Sequence, residues 1–412
     1  MYGWPFLDVV TYGAMIGLIA EVSQRTIKLP KTPALMLAAG LWVGSVMSHV
    51  AHGYFKGMMD TIPETFKLCL FVMLLVVVIN SIARVRWVII ILLIGAVLMA
   101  IHSVLQVYTG AGFGGQTPII YYYSYKEKWI QQSQFYGIFS DPNDLGQFLA
   151  TCVPLVFAVP KRLGFMTVII ALALVYLLGE GLLGTESRGT LIGVVAAVAC
   201  TLFLWLPPKW MPYFGVLILI GGLVACAFGG AGMLDQSARD RLEFWGNANR
   251  YFKSHLLFGG GYGMFSEVSG TNRPAHNAFV CCYTELGLFG YWFWFNMMTL
   301  GIIGCWRTRV AFERPRNYQQ KYLKRVAGLC IASIVGFAAS SFFLTRAYVF
   351  PLFFLFGLLA AVPMVAERYL PENHPPLVNF RKDVLFTGTL TALFSVAYTY
   401  SVIVLLNRGN GG

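Results

Sequence analysis

Long apolar runs separated by short polar segments make up most of this chain. Each run is close to the roughly 20 residues that an α-helix needs to cross a bilayer. No long polar linker interrupts the series, so residues 1–412 are interpreted as a single transmembrane domain. The pattern predicts about 12 transmembrane helices, at 4–21, 33–51, 64–82, 87–108, 139–159, 164–182, 189–206, 212–230, 278–303, 326–344, 349–366 and 384–405.

Composition supports the same fold class. Hydrophobic residues make up 57% of the chain and charged residues only 12%, whereas soluble domains carry about 25% charged residues. We therefore expect an all-α, polytopic integral membrane protein in which one larger outer loop, 231–276, contains short helices.

The net charge of +12 is unevenly distributed. When the loops are assigned to alternate sides, one side holds 18 of the 30 basic residues but only five of the 18 acidic ones. Basic loops mark the cytoplasmic side of a membrane protein. The charge excess therefore indicates topology and contact with membrane lipids, and it does not indicate nucleic-acid binding. Both termini and the loops 109–137 and 231–276 are predicted to lie outside, with 304–325 in the cytoplasm.

Two short outer segments collect unusual polar residues. Asp141 and Asn143 flank a proline, which is typical of a helix start, so capping and ligand binding both remain open for them. Glu186 and Arg188 lie in a short loop between two spans. Because a charge within the membrane is costly, Arg188 is expected to pair with Glu186 or to face a watery cavity.

The outer loop 231–276 is basic on the side that is normally poor in basic residues. Its first half is predicted to be an amphipathic helix with Leu242, Trp245, Ala248 and Phe252 on one stripe. Lipid headgroups are one explanation for the positive charge. A diphosphate ligand is the other, because the guanidinium fork contacts phosphate oxygens in bidentate fashion. The arginines concerned are Arg239, Arg241 and Arg250.

His276 and Asn277 stand at the outer mouth of the aromatic ninth span, and Arg346 lies in a short outer turn. His276 is either a hydrogen-bonded surface residue or a general base, since its pKa suits proton transfer near neutral pH. The histidines and carboxylates form no recognisable metal motif, so no metal or other cofactor is expected. GGGYGMF (259–265) lacks the Lys-Ser/Thr ending of a phosphate loop and is interpreted as a tight turn.

Four motifs in order resemble the O-antigen ligase family of bacterial membrane glycosyltransferases, over roughly residues 137–300. They are G-x-F-x-DPN, ESRG, R-L-x-x-W followed by a glycine turn, and HN with ELG-x-x-G, which together span Gly137 to Gly290. This superfamily also includes O-antigen polymerases and protein O-oligosaccharyltransferases. Its members usually begin in the cytoplasm, whereas the charge split places this N-terminus outside.

The resemblance implies a GT-C-like enzyme of the bacterial inner membrane whose active site faces the periplasm. Such an enzyme transfers a preassembled glycan from undecaprenyl diphosphate to an acceptor hydroxyl, without a metal or a nucleotide sugar. The acceptor hydroxyl is carried by lipid A-core, a glycan or a protein. The family's essential outer arginines and histidine fall here on Arg188, Arg241 and His276. Arg239, Arg250, Arg346, Asp141, Asn143, Glu186 and Asn277 are the further candidates for substrate binding.

Several alternatives remain open at this point. Ligase, polymerase and protein O-glycosylation activities share the same motifs. A flippase or exporter of lipid-linked glycan also needs a ring of cations, but it needs an inward-facing cavity as well. A non-catalytic lipid-binding scaffold needs no histidine at the mouth of a span.

The predicted topology is testable by cysteine labelling in a variant without native cysteines. A membrane-impermeant maleimide added from outside is expected to label Gly270→Cys and to leave Tyr318→Cys unlabelled, because the basic tract keeps residue 318 in the cytoplasm. Permeabilised cells, in which both positions react, are the control. The reverse pattern in intact cells would contradict the topology and the site prediction built on it.

Overall fold

A computed structural model describes residues 6–24, 29–123, 128–162, 164–206, 213, 236–271 and 273–409. Within them the regular secondary structure is helical apart from one short hairpin of strands β1 (Ile119–Tyr123) and β2 (Lys128–Gln132). A π-helix (Phe380–Gly388) leads into the last α-helix. The helices are α1 (Phe6–Ser23), α2 (Pro33–Val50), α3 (Phe55–Val78), α4 (Ile82–Thr109), α5 (Pro142–Leu155), α6 (Phe165–Leu183), α7 (Arg188–Trp205), α8 (Gln236–Ser254), α9 (Phe265–Ser269), α10 (Ala278–Ala311), α11 (Tyr318–Ser341), α12 (Phe350–Glu367) and α13 (Thr389–Gly409).

Eight helices in the described residues are long and apolar enough to cross a membrane. This agrees with a polytopic membrane protein, while the expected number of about 12 spans remains a prediction. Of the predicted span 212–230, only residue 213 is described. Helix α5 is shorter than a span, with 14 residues. Its side chains are buried on almost every face, because α5 packs among α6, α7 and α11 inside the bundle.

The described basic residues among those assigned to the cytoplasmic side gather at one end of the bundle, which we call the basic end. There Arg86 donates to the Val159 carbonyl at 2.8 Å. Arg307 forms two hydrogen bonds of 2.6 Å with the buried carboxylate of Asp383. The segments assigned to the outside meet at the opposite end, which we call the His276 end. The predicted division of the loops into two groups therefore agrees with the packing.

Glycines allow the central helices to approach closely. A Cβ atom added to Gly193 of α7 would lie 2.8 Å from the Gly336 carbonyl oxygen of α11. The same atom added to Gly336 would lie 2.7 Å from the Gly193 carbonyl oxygen. Small residues at such contacts let two backbones pack directly in a membrane bundle. This contact fixes α7, and with it the position of Arg188 at the first residue of that helix.

Helix α10 is broken at Gly287, where φ is +64° and ψ is −173°. The break frees the amides of Leu288 and Phe289, which donate to the carbonyls of Leu256 and Leu257 at 2.8 and 3.0 Å. Backbone groups without partners are very costly at membrane depth, so a broken helix needs such replacement bonds.

The glycine-rich loop after α8 donates hydrogen bonds to the carbonyl groups that the break leaves without helical partners. Gly260 and Gly261 donate their amides to the carbonyls of Thr284 and Glu285, each at 2.9 Å. Gly261 has a φ of +111°, a conformation that is open to glycine and strained for other residues. The run at 259–261 therefore forms the turn expected from the sequence, and in addition it pairs with the broken helix.

The hairpin is the main departure from the predicted all-α fold. Its five pairs of residues join β1 to β2 in antiparallel register, within the loop expected at 109–137. Tyrosine and tryptophan are typical strand residues, and Tyr122 packs on Trp129 across the hairpin with ring centroids 5.3 Å apart.

Replacement of the glycine at the helix break is expected to destabilise the protein. In Gly287→Ala the new Cβ would lie 2.3 Å from the Leu257 carbonyl oxygen, and φ would stay in the left-handed region. Strained backbone of this kind costs about 1–3 kcal/mol before any steric clash. Thermal unfolding in detergent should therefore show a clearly lowered midpoint.

Gly95→Ala is the matched control, because a Cβ at this position in α4 meets nothing within 4 Å. This change is expected to be neutral or to stabilise the helix by up to about 1 kcal/mol. Equal unfolding midpoints for the two variants would contradict the structural role given to Gly287.

Candidate functional site

A cavity of about 1020 Å³ opens at the His276 end. It brings together five of the residues that the sequence singled out: Asn143, Glu186, Arg188, Arg241 and His276. These residues come from four separate segments of the chain, so only the fold brings them together. The other lining residues are Val104, Val107, Tyr108, Tyr121, Trp129, Ile130, Gln131, Glu180, Leu183, Gly184, Ser187, Gly189, Ile192, Phe343 and Leu344.

Arg188 projects from the first residue of α7 and is exposed within this cavity. A helix N-terminus carries a partial positive charge, which adds to that of the guanidinium. The sequence offered Glu186 as a possible partner. Among the described residues no ion pair joins the two side chains; both are exposed and line the cavity. Arg188 therefore faces a cavity, which is the second of the two arrangements predicted from the sequence. Its guanidinium is available there to an anion.

The turn before α7 is held by the first turn of α5. Glu186 adopts a φ of +53°, which is rare outside glycine and marks a sharp change of direction. The next residue, Ser187, donates its hydroxyl to the Asn143 side-chain oxygen at 2.7 Å. Asn143 in turn donates from its side chain to Asp141 at 3.1 Å. The DPN and ESRG motifs are therefore joined by hydrogen bonds, and Asn143 supports the turn that carries Arg188.

Helix α8 carries Arg241 and has the amphipathic character expected from the sequence. The predicted stripe of Leu242, Trp245, Ala248 and Phe252 is buried in full. Arg241 precedes the first of these residues, so its side chain lies at the boundary between the buried face and the cavity. The position of this arginine follows from the docking of the apolar face.

The other two candidate arginines of α8 are not found in the cavity lining of the described structure. The Arg239 side chain lies outside the described part of the structure. Arg250 is exposed and donates to Asn247 of the same helix, and it is absent from the described lining of the cavity. The structure therefore gives Arg250 a position away from Arg188 and Arg241, because it lies on a different part of the helix surface.

The loop that presents His276 is fixed from two sides. The Trp245 indole of α8 donates to the Ala275 carbonyl at 2.5 Å. The His276 amide donates to the hydroxyl of Thr345 at 2.5 Å, with a φ of +48° at His276 itself. A histidine held in the left-handed region is uncommon, and such backbone strain clusters at functional sites.

Asn277 caps the helix that follows. Its side-chain oxygen accepts from the amides of Phe279 and Val280 at 2.9 and 3.1 Å, and the residue is fully buried. Asn277 was a candidate for substrate binding. It is not among the described lining residues of the cavity, and capping explains its place beside His276. Its contribution is to fix the point at which α10 begins.

The environment of His276 disfavours the charged form of its ring. Burial lowers the pKa of His276 to about 4, and the nearby charges of Arg241 and Arg346 act in the same direction. Desolvation and like charges both penalise an imidazolium ion. The ring is therefore neutral at physiological pH and able to accept a proton.

Arg346 is engaged by two carboxylates. Its guanidinium lies 2.5 Å from Asp141, which caps α5, and 2.6 Å from Asp144 in the first turn of that helix. Neither Arg346 nor Asp141 is among the described residues that line the cavity. Asp141 also caps α5 by accepting from the Asn143 amide at 2.8 Å. These contacts link α5 to the turn before α12, and the substrate contact expected of Asp141 and Arg346 stays a prediction.

One wall of the cavity was missed by the sequence interpretation. Tyr121 of β1 and Trp129, Ile130 and Gln131 of β2 line it. The signal was present as two short aromatic and β-branched runs, but they are not separated by a recognisable two-residue turn. Glu180 of α6 also lines the cavity and adds a second carboxylate to it. No group of three potential metal ligands occurs among the described residues.

Comparison with known families gives a match over a segment that supplies half of the residues lining this cavity. Residues 172–295 match a family model described as O-Antigen ligase. The matched segment contains Arg188, Arg241 and His276, whereas Asp141, Asn143 and Arg346 lie outside it. No curated protein matches the chain. The family match confirms the resemblance found in the motifs and supports placing the chain in an O-antigen ligase-like superfamily.

Proposed function

We propose that this protein transfers a preassembled glycan from undecaprenyl diphosphate to an acceptor hydroxyl at the outer face of the bacterial inner membrane. The observation that carries the proposal is the convergence of Arg188, Arg241 and a neutral His276 on one cavity. The O-antigen ligase family match supports ligase-like or polymerase-like chemistry in general terms.

The two arginines are suited to hold the diphosphate of the donor. As the bond between the sugar carbon and the diphosphate oxygen breaks, the leaving group takes the electron pair and gains negative charge. Fixed cations in a cavity with little water stabilise such charge strongly. The N-terminus of α7 beside Arg188 adds to the same field. No metal is required for this step in the proposed mechanism.

His276 is suited to act on the acceptor. The hydroxyl oxygen forms the new bond to the sugar carbon, and its proton passes to the neutral imidazole. Proton transfer to a group with a pKa of about 4 is weakly driven, so we expect it to occur late, when the attacking oxygen has already lost electron density. The low pKa also keeps His276 ready to accept a proton at every physiological pH.

Arginine replacement tests the donor site. Purified protein in liposomes, supplied with undecaprenyl-diphosphate-linked glycan and lipid A-core acceptor, is expected to transfer glycan in the presence of EDTA. Arg188→Ala and Arg241→Ala should each lower the transfer rate by about 10²–10³-fold, the usual effect of removing one stabilising donor. The corresponding Lys variants should be impaired less, since charge is kept and fork geometry is lost.

Lys253→Ala is the matched control, because Lys253 is an exposed cation on the same helix as Arg241 and does not line the cavity in the described structure. It should transfer glycan at the wild-type rate. Normal transfer by both Arg→Ala variants at normal expression would remove the donor-site assignment. Deletion of the gene, with inspection of lipopolysaccharide, free polymer and glycoproteins, distinguishes ligase, polymerase and protein glycosylation. Transport without transfer would indicate a flippase.

The pH dependence of transfer tests the role of His276. Because the pKa of His276 is lowered, the neutral base persists on acidification, and the rate should be lost only as pH falls through about 4. His276→Ala should lower turnover by about 10²–10⁴-fold, the range for a lost general base, and should lack this acid limb. Circular dichroism at each pH establishes that the protein stays folded.

His276→Gln separates a base from a positioning group, because glutamine keeps hydrogen bonding but cannot take up the proton. We expect it to be as impaired as His276→Ala. Near-normal turnover of His276→Gln would demote His276 to a positioning residue and leave the transferase assignment standing. An acid limb near the ordinary histidine pKa of about 6.5 in the wild type would contradict the burial argument.

A further inference from the structure

A second cavity of about 510 Å³ lies at the same end of the bundle, behind the loop that presents His276. Pro274 and Thr345 line it. Thr345 accepts the hydrogen bond from the His276 amide, and Pro274 precedes His276 by two residues. The short segment 274–276 therefore borders both cavities. The volume falls within the range of small-molecule sites, about 300–1,000 Å³.

The charges of this cavity differ from those of the larger cavity that Arg188 and Arg241 line. Asp60 and Glu64 lie one helical turn apart on α3, both exposed, and Glu285 of α10 reaches the cavity from the bundle interior. Among the described residues that line it there is no arginine and no lysine. A second diphosphate site is therefore excluded on electrostatic grounds, and a ligand rich in hydrogen-bond donors is favoured.

Glu285 supplies an independent indication of a ligand. Its side chain is only 2% exposed. One oxygen accepts from the Phe265 amide at 3.1 Å, whereas the other, Oε2, makes no hydrogen bond within the described residues. The hydroxyl of Tyr348, which also lines the cavity, and the thiol of Cys281 interact with the Glu285 carboxyl, but neither makes a hydrogen bond of normal geometry to Oε2. Buried polar atoms are nearly always paired, so a buried carboxyl oxygen at the cavity wall without a hydrogen bond of normal geometry indicates room for a ligand.

Aromatic rings complete the lining. Tyr262 and Tyr348 lie with ring centroids 4.6 Å apart, and the Tyr262 hydroxyl donates to Glu64 at 3.2 Å. Tyr54 adds a third ring. Flat rings offer an apolar surface to the C–H face of a sugar, while carboxylates accept from its hydroxyls. A metal ion is a poorer match, since no three potential metal ligands cluster among the described residues.

We propose that this second cavity, which we call the acidic cavity, binds the carbohydrate part of the glycosyl acceptor. The inference rests on the proposed transferase function and extends it to the acceptor side. A sugar anchored by Asp60, Glu64 and Glu285 would reach past the segment 274–276 to present its hydroxyl to His276. Donor diphosphate and acceptor sugar are thus recognised by cavities of different charge on either side of the same loop.

Removal of charge at the cavity mouth tests the proposal without disturbing the bundle. The double variant Asp60→Asn/Glu64→Gln keeps the shape of two exposed side chains. Glu267→Gln is the matched control, because Glu267 is an exposed carboxylate at the same end of the bundle that does not line the cavity within the described structure. Binding to full-length protein in nanodiscs is measured with dephosphorylated core oligosaccharide, with the glycan released from the donor, and with undecaprenyl diphosphate.

At least one carbohydrate probe should bind the wild type and Glu267→Gln equally, and bind the double variant about tenfold or more weakly, as expected for the loss of charge-assisted hydrogen bonds. Undecaprenyl diphosphate should bind all three proteins equally. In transfer assays the acceptor KM should rise in the double variant while the donor KM stays unchanged.

Three results would overturn the proposal. Neither carbohydrate binds the wild type, the double variant binds carbohydrate normally, or its binding of undecaprenyl diphosphate weakens as much as its binding of carbohydrate. Arg188→Ala/Arg241→Ala serves to separate this proposal from the donor site. This variant should no longer bind undecaprenyl diphosphate, and its binding of carbohydrate should be unchanged. If undecaprenyl diphosphate fails to bind the wild type while carbohydrate binds, the proposed donor fails and the acidic cavity stands.

Discussion

The backbone pairing between the broken turn of α10 and the glycine loop is the constraint on which the rest of the His276 end depends. Four amide-to-carbonyl hydrogen bonds of 2.8–3.0 Å replace those that the helix loses at Gly287. They hold the end of α8 against the bundle, and Trp245 of α8 then holds the carbonyl next to His276. One local break thereby fixes both Arg241 and His276 relative to the membrane-spanning helices.

The sequence predicted well those features that depend on local patterns. Hydropathy predicted the eight long apolar helices of the described residues, and the 3.6-residue period identified the buried face of α8. Motif order pointed to Arg188, Arg241 and His276, which line one cavity. These features are accessible because each is encoded within one segment of the chain and needs no knowledge of how segments pack.

Features that depend on contacts between distant segments were not predictable in the same way. The pairing of Arg346 with Asp141 and Asp144 joins residues about 200 positions apart, so Arg346 looked like one more outer cation available to a ligand. Asn277 likewise looked like a polar group at a span mouth, and its burial became visible only with the fold. The hairpin in the 109–137 loop was not predicted because its two strand-like runs are not joined by a recognisable two-residue turn.

The two cavities suggest why the strained segment at His276 is fixed so firmly. A transferase with two large substrates must keep a negatively charged donor and a hydroxyl-rich acceptor apart until both are bound, yet bring one atom of each into contact. Among the described residues, arginines line only one side of this thin wall, so the diphosphate of the proposed donor is disfavoured in the acidic cavity. In the proposed mechanism the wall itself carries the group that acts on the reacting hydroxyl. His276 occupies that wall, and its amide is bonded to Thr345, a residue that lines the acidic cavity.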